Sequence, residues 1–199
     1  MTFTSLCVYC GAAPGIDPDY AAGAERLGQL MADSGIRLIY GGGEVGLMGI
    51  VARSVLRHGG TVTGIIPRFL KDREIMLREA TDLIVTADMH ERKRLMFDRS
   101  DAFLALPGGI GTLEETVEMM TWAQLGQHAK PIVLANLKGF WDPLVALLKH
   151  MEGGGFLHAP RDGRSLYTSV DRIDEVLPTI NGLVAAMPAN PPEARTYLM

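Results

Sequence analysis

Short apolar runs alternate with longer amphipathic segments along most of the chain, and turn residues separate them. The apolar runs are nearly continuous, as is typical of strands that are covered on both faces of a sheet. Strands that alternate regularly with helices favour a parallel sheet, because the helices supply the crossover connections. The pattern therefore predicts an α/β fold in which a doubly wound parallel sheet is flanked by helices.

Six apolar runs are predicted strands, and a further short strand is possible near Ser165–Tyr167. The first helix has clear ends, since Asp17 is a favourable N-cap, Pro18 suits the first helical position and Gly35 suits the stop after Ser34. The predicted strands are Leu6–Cys10, Arg37–Tyr40, Thr61–Ile66, Asp82–Thr86, Ala102–Leu106 and Ile132–Ala135. The other predicted helices are Gly46–His58, Met89–Ser100, Thr112–Leu125, Trp141–Met151 and Val170–Leu177.

Length and composition fit a single domain. The chain has 199 residues, of which 47% are hydrophobic, and this suffices for one α/β core over residues 1–187. Residues 188–199 include a run rich in proline and alanine without a core pattern, and we expect them to form a flexible tail.

The charge balance and the hydropathy exclude several classes of partner. A net charge of −4 argues against binding to nucleic acid or to a membrane surface, since both need a basic face. The N-terminus lacks the features of a signal peptide, and no apolar run approaches the ~20 residues of a membrane span. We therefore expect a cytoplasmic protein with a partner that is either a small molecule or a protein.

The segment PGGIGTLEE, Pro107–Glu115, joins the end of an apolar run to the start of a helix-forming run. Gly108, Gly109 and Gly111 are expected to let the backbone turn with positive φ and to let a ligand approach closely. The helix that follows presents free N–H groups and the positive end of its dipole at this turn. The segment therefore predicts a site for a phosphate group.

Glu115 is the residue of this segment that phosphate binding leaves unexplained, because a carboxylate repels an anion. One alternative is structural: Thr112 and Glu115 have the T-x-x-E spacing of a capping box, in which the glutamate bonds back to the N-terminal amide. The other is functional, with Glu115 handling a sugar hydroxyl or a water molecule. Spacing alone does not separate the two, but the run of glycines before Thr112 exceeds what a capped helix needs and favours the functional interpretation.

A second glycine cluster, YGGGEVGLMG, follows the second predicted strand, and Gly41, Gly43 and Gly46 match G-x-G-x-x-G. A dinucleotide site would place this pattern after the first strand and an acidic residue at the end of the following strand. Here the following strand leads into Pro67-Arg68 instead of an acidic residue. Neither cluster continues into the Gly-Lys-Ser/Thr of a P-loop. Both are expected at the carboxyl edge of the sheet, where one mononucleotide could contact both, with Gly42 and Gly43 as candidate contacts. A tight structural turn is the equally weighted alternative for this cluster.

Cys7 and Cys10 form a C-x-x-C pair, but they are the only cysteines and no second pair completes a metal site. Residues three apart on a strand point to opposite faces, so the two thiols should not meet. We predict that both are apolar fillers at the end of a buried strand.

Arg92, Lys93 and Arg94 place three cations in the first turns of a predicted helix, where Asp88 is a plausible N-cap and Glu91 completes a capping box. This placement opposes the helix dipole, which favours anions at this end by about 0.3 to 1 kcal/mol per charge. A local rule broken in this way often marks a functional site. A solvated basic face is the competing interpretation for Lys93 and Arg94, whereas the planar donor fork of Arg92 suits a phosphate or a sugar.

Several segments together resemble the LONELY GUY family of nucleotide phosphoribohydrolases: CVYCGAAPG, YGGGEVGLMG, IPRFL, DMHERK, PGGIGTLEE and TWAQLG. The resemblance extends over most of the chain, to about Phe156. It implies a Rossmann-like homo-oligomer, commonly a homodimer, that cleaves the N-glycosidic bond of cytokinin riboside 5′-monophosphates or of AMP. The products would be the free base and ribose 5-phosphate.

The resemblance also implies roles for individual residues, with Arg92 and Glu115 as the catalytic pair. The implied contacts to a small-molecule nucleotide are Glu74, Lys93, Gly108, Gly109, Ile110, Gly111, Thr112, Leu113, Glu114 and Thr121. Two departures are mild, since Ile110 replaces an aromatic residue of many members and Ala12-Ala13 replaces serines. Neither a metal nor a cofactor is implied. Members were once labelled lysine decarboxylases, but none of the lysines here lies in a recognisable setting for pyridoxal phosphate.

The chemistry of N-glycoside hydrolysis fits these residue types. A carboxylate stabilises the oxocarbenium-like transition state, and a positioned water molecule then completes the reaction. A rival hypothesis from another class is a nucleotide carrier or regulatory protein that uses the same glycine turns without catalysis. Only Glu115 and Arg92 in working geometry separate the two hypotheses.

Overall fold

The computed structural model describes residues 2–70, 76–158 and 163–187, and within them seven strands form one parallel sheet. The strand order is β4-β3-β2-β1-β5-β6-β7. The strands are β1 (Ser5–Tyr9), β2 (Arg37–Tyr40), β3 (Val62–Pro67), β4 (Asp82–Thr86), β5 (Ala102–Ala105), β6 (Ile132–Ala135) and β7 (Thr168–Val170). The predicted doubly wound α/β fold is confirmed.

Helices cover both faces of this sheet. They are α1 (Pro18–Asp33), α2 (Gly46–Arg57), α3 (Met89–Asp98), α4 (Ile110–Gln124), α5 (Asp142–Gly153) and α6 (Val176–Ala185). Buried residues of α1, α2 and α6 pack in one apolar cluster, and those of α3, α4 and α5 pack in another on the opposite face. None of the described helices is long and apolar enough to cross a membrane.

The sheet has its topological switch point between β1 and β5, because the chain proceeds outward from β1 through β2, β3 and β4 and then returns to β5 on the other side. Loops that leave two such strands diverge and open a crevice at the carboxyl edge, where ligands bind in folds of this kind. The amide of Gly11, after β1, donates to the carbonyl of Pro107, after β5, at 3.1 Å. The glycine turn of PGGIGTLEE therefore starts at the switch point.

The first six predicted strands are confirmed to within one or two residues at each end. The start of α1 is confirmed as well, since the side chain of Asp17 accepts a hydrogen bond from the amide of Asp19 at 2.9 Å and Pro18 is the first helical residue. The two cysteines behave as predicted, because Cys7 packs on the face of α3 and α4 while Cys10 packs on the opposite face. Both are free and buried.

The C-terminal elements were predicted wrongly. The last strand is Thr168–Val170 rather than Ser165–Tyr167, because Thr168, Ser169 and Val170 pair with β6. The predicted helix Val170–Leu177 is wrong for the same reason, and α6 instead runs from Val176 to Ala185. Pro178 does not stop α6, because it lies in the first turn, where backbone N–H groups have no helical acceptor. The predicted tail at 188–199 lies outside the described residues.

Candidate functional site at the glycine turn

Helix α4 begins at Ile110, two residues before the predicted start at Thr112. Its N-cap is Gly109, which has no side chain to cap the helix. Thr112 is therefore the third helical residue, and its carbonyl accepts a hydrogen bond from the hydroxyl of Thr116 at 2.6 Å. The capping box that would have given Glu115 a purely structural role is not formed, because that motif needs Thr112 at the N-cap.

None of the three glycines of the turn has positive φ, so that expectation was wrong, and lack of space requires a glycine at Gly108 alone. Gly109 has a φ of −90°, and neither Gly108 nor Gly111 lies in the left-handed region. A Cβ on Gly108 would overlap the side chain of Thr112 and approach the amide of Gly11 to 2.9 Å. A Cβ on Gly109 or Gly111 would meet no atom of the described residues within 4 Å, so a side chain at either position would have room there.

The amides at the start of α4 are available to a ligand. The first intrahelical bond runs from the amide of Leu113 to the carbonyl of Gly109 at 3.0 Å. The amides of Ile110, Gly111 and Thr112 find no backbone acceptor within the part of the chain that the structure describes. Free N–H groups and the positive end of the dipole coincide here, as in a typical anion site.

The second glycine cluster differs, because the N-terminus of α2 is already occupied. The amides of Leu47 and Met48 donate to the carbonyl of Gly11 at 3.0 and 3.4 Å. Gly46 has a φ of +61°, and a Cβ there would overlap the backbone of the β1–α1 loop. These observations favour the tight structural turn for the N-terminus of α2. Contacts of Gly42 and Gly43 with a ligand stay predictions.

Arg92 and Glu115 meet beneath the glycine turn. Asp88 caps α3 by accepting a hydrogen bond from the amide of Glu91 at 2.9 Å, and this places Arg92 one turn into the helix. Nη2 of Arg92 lies 3.4 Å from Oε1 of Glu115, and the two residues are only 6% and 9% exposed. Nη1 contacts the sulfur of Met89 at 3.7 Å. The structure thus brings together the two residues predicted to be catalytic.

The guanidinium of Arg92 is poorly satisfied for a buried cation. Its Nε is inaccessible to solvent and has no hydrogen-bond partner within residues 2–70, 76–158 and 163–187, and a thioether sulfur is a weak acceptor for Nη1. Buried polar groups nearly always have partners, so an exception of this kind needs an explanation. A charge held with unused donors next to open amides is suited to receive an anionic or hydroxylated ligand.

Lys93 links α3 to α4. Its Nζ lies 2.7 Å from Oε1 of Glu114 and 2.9 Å from Oε1 of Glu118, and its side chain is 13% exposed. Burial by itself would lower the pKa of Lys93, but the hydrogen bonds that Lys93 donates to both glutamates, and their negative charges, outweigh it and raise the pKa. Arg94, by contrast, has an 80% exposed side chain. The interpretation as a solvated basic face is therefore right for Arg94 and wrong for Lys93.

The other predicted contacts lie in different places. Thr121 is exposed, and its hydroxyl donates to the carbonyl of Val117 at 2.8 Å. Ile110 is 82% exposed beside the turn, and Leu113 packs partly against the core. Glu74 lies outside the described residues. The glycine Gly41, which contacts Arg92, was missed as a site residue, although its place directly after a buried strand was a visible signal.

Sequence comparisons identify close relatives. A family model described as "possible lysine decarboxylase" matches residues 48–180. A rice protein (Oryza sativa) named cytokinin riboside 5′-monophosphate phosphoribohydrolase LOG is 42% identical over 175 residues, which cover 88% of this chain and 72% of the relative. A Rhodococcoides fascians protein with the same enzyme name is 47% identical over 154 residues, which cover 77% of this chain and 78% of the relative.

Solved structures with low sequence identity share the fold. The Moco carrier protein of Chlamydomonas reinhardtii superposes with a TM-score of 0.70 at 19% identity, covering 92% of this chain and 99% of that protein. The molybdenum cofactor binding protein of Rippkaea orientalis gives a TM-score of 0.68 at 22% identity, with coverages of 91% and 97%. At this identity the likeness concerns the architecture alone.

Proposed function

Because the chain belongs to the LONELY GUY family, we propose that it is a phosphoribohydrolase, an enzyme that hydrolyses the N-glycosidic bond of cytokinin riboside 5′-monophosphates, of AMP, or of both. The single observation that carries this proposal is the buried pair of Arg92 and Glu115 beside the open N-terminus of α4. A phosphate site and a carboxylate within one crevice match a substrate that has a 5′-phosphate at one end and a ribosyl bond at the other.

The glycine turn binds the 5′-phosphate in this proposal. The amides of Ile110, Gly111 and Thr112 donate to its oxygens, and the dipole of α4 stabilises its charge. Gly109 and Gly111 leave room for the phosphate, since a Cβ at either position would project into open space. A nucleoside without the phosphate loses these bonds and is a poor substrate.

Glu115 acts at the anomeric carbon. As the bond from C1′ of the ribose to the base breaks, positive charge develops on the sugar, and a nearby carboxylate stabilises it. Glu115 also orients a water molecule, whose oxygen bonds to C1′ while one of its protons is lost and the departing base gains a proton. Water is the only co-reactant, and the products are the free base and ribose 5-phosphate.

Arg92 fixes the nucleotide and supports negative charge on the departing side. Its position beside Glu115 lets one guanidinium contact the substrate while it also orients the carboxylate. The unused donors of Arg92 supply hydrogen bonds that are made only when substrate is bound.

A homodimer in the cytoplasm completes the proposal. An exposed stripe runs along α4 to its C-cap at Leu125, and three of its four residues are apolar: Ile110, Val117, Thr121 and Leu125. Residues spaced in this way share a helix face, and a second copy would cover that face. Light scattering of the purified protein tests the dimer.

The test of the function is incubation of the protein with AMP and with isopentenyladenosine 5′-monophosphate, with the free base and ribose 5-phosphate quantified. Release of both products in equal amounts supports the enzyme. Binding of the nucleotides without release of either product would instead favour a carrier. Adenosine, which lacks the phosphate, is the matched control and should react far more slowly than AMP.

A further inference from the structure

Gly41 directly follows β2, and its lack of a side chain is explained by Arg92. Gly41 does not have positive φ, so backbone conformation does not require a glycine there. A Cβ at this position would overlap Nη2 of Arg92, and it would lie 3.4 Å from Cζ of Arg92 and 3.3 Å from the sulfur of Met48. The guanidinium of Arg92 therefore occupies the volume that any other side chain at position 41 would take.

We propose that Gly41 is a positioning residue of the active site, which sets where the guanidinium of Arg92 lies relative to Glu115. This inference rests on the proposed function, because it gives Arg92 its role. It also gives part of the second glycine cluster a task other than phosphate binding. Gly46 lets the start of α2 pack against the backbone of the β1–α1 loop, and Gly41 leaves room for the guanidinium of Arg92.

The contact at Gly41 differs in kind from those at the neighbouring glycines. A Cβ on Gly46 would overlap the backbone of Ala12 and Ala13, and a Cβ on Gly49 would overlap the backbone of Glu44. At Gly41 the overlapping atom is the far end of a flexible side chain. A substitution at Gly41 therefore moves the arginine and leaves the backbone in place.

Arg92 is held weakly enough to move. Among the described residues, Nη1 contacts the sulfur of Met89 at 3.7 Å, and Nε has no hydrogen-bond partner there. The distance from Nη2 to Glu115 is 3.4 Å, which is long for an ion pair with direct hydrogen bonding. A methyl group on Gly41 would displace Nη2 and change this distance. Misplacement of a catalytic group by about 1 Å can cost about 100-fold in rate.

The test is a double-mutant cycle that combines Gly41→Ala with Arg92→Lys, which removes the Nη2 atom that Gly41 contacts. With Arg92 present, Gly41→Ala should lower kcat by about 10- to 100-fold, while the melting temperature stays close to that of the unmodified protein. In the Arg92→Lys background the same substitution should change kcat by less than about 2-fold. Gly182→Ala, on an exposed turn of α6 where a Cβ meets nothing within 4 Å, is the control and should leave activity unchanged.

Two results would overturn the positioning role of Gly41, and a third would overturn the proposed function. Equal losses in both backgrounds would mean that Gly41 acts on the structure and not through Arg92. A Gly41→Ala protein that fails to fold would contradict the prediction that only a side chain moves. If the unmodified protein cleaves no nucleotide, the proposed function fails instead, and the same cycle is then measured on AMP affinity. The positioning role of Gly41 is then overturned if Gly41→Ala weakens AMP binding equally in the unmodified protein and in the Arg92→Lys background.

Discussion

Nη2 of Arg92 and Oε1 of Glu115 lie 3.4 Å apart in the interior of the protein, although 22 residues separate them in the chain. Each belongs to the first turns of a helix, Arg92 in α3 and Glu115 in α4. The separation between the two helices therefore decides whether the pair can act together. The contacts that hold α3 against α4 should accordingly control both stability and activity.

Lys93 makes two of these contacts, with Glu114 and Glu118, and gives a first prediction. Replacing Lys93 with Met removes hydrogen bonds to Glu114 and Glu118 at 2.7 and 2.9 Å. We expect the free energy of unfolding to fall by about 1 to 3 kcal/mol, and kcat to fall because the helices separate. Urea unfolding and steady-state kinetics measure the two effects.

Arg94→Met is the matched control for Lys93. Arg94 is exposed and its nearest carboxylate, on Asp98, is 3.9 Å away. Its replacement should change the free energy of unfolding by less than about 0.5 kcal/mol. Equal effects at Lys93 and Arg94 would show that Lys93 does not link the helices.

The N-cap of α3 gives a second prediction. Asp88 accepts a hydrogen bond from the amide of Glu91 at 2.9 Å, and the carboxylate of Glu91 accepts one from the amide of Ala87 at 2.7 Å. Asp88→Ala should lower the free energy of unfolding by about 1 kcal/mol and should also lower kcat, because the frayed turn carries Arg92.

Asp17→Ala, which removes the cap of α1, is the comparison for Asp88. It should give a similar loss of stability with little change in kcat measured at saturating substrate. If Asp88→Ala leaves kcat unchanged, the first turn of α3 does not position Arg92.

His128 gives a prediction for pH. Nδ1 of His128 accepts a hydrogen bond from the amide of Lys130 at 3.1 Å, so the proton lies on Nε2, which donates to the carbonyl of Met119 at 2.9 Å. Burial lowers the pKa of His128, because the charged ring would lose solvation, and the positive charges of Lys130 and Arg164 lower it further. The ring packs between Phe97 of α3 and Phe103 of β5, so its charge state affects the same helix pair.

A lowered pKa means that the folded protein prefers neutral His128 while the unfolded chain binds the proton more readily. Its contribution to stability is complete above the unfolded pKa of about 6.5 and is lost as the pH falls below that value towards the folded pKa. Between pH 7.5 and pH 5, the free energy of unfolding should fall more steeply for the unmodified protein than for His128→Gln. Exposed His150→Gln should behave like the unmodified protein, and an unchanged slope in His128→Gln would contradict the assignment.

Local signals predicted the parts of the site that lie within one segment. The glycine turn, its place at the end of a buried strand and the helix after it all follow from PGGIGTLEE, and the cap at Asp88 follows from its spacing to Glu91. The unfavourable position of Arg92 relative to the helix dipole indicated a cation that needs a partner from elsewhere in the fold, and Glu115 is such a partner.

Features that depend on packing between distant segments could not be predicted. A side chain on Gly108 would overlap Thr112, and a side chain on Gly41 would overlap Arg92. The local sequence pattern around each glycine does not indicate which residue packs against it. The carbonyl of Gly11 accepts hydrogen bonds from the first amides of α2, whereas the first amides of α4 have no such acceptor among the described residues. The two glycine clusters therefore differ in whether their amides are available to a ligand. At the C-terminus, Thr168–Val170 is a strand because β6 offers an open edge, and the apolar pattern alone did not set its start.

In the proposed function, Glu115 performs the hydrolysis and the glycine turn binds the phosphate. The direct measurement is the rate of ribose 5-phosphate release from AMP or isopentenyladenosine 5′-monophosphate by the unmodified protein and by Glu115→Gln, with nucleotide affinity measured in parallel. We expect Glu115→Gln to lose activity by about 100- to 10,000-fold while nucleotide still binds within about 10-fold of the original affinity. If Glu115→Gln releases ribose 5-phosphate at the original rate, Glu115 does not perform the hydrolysis.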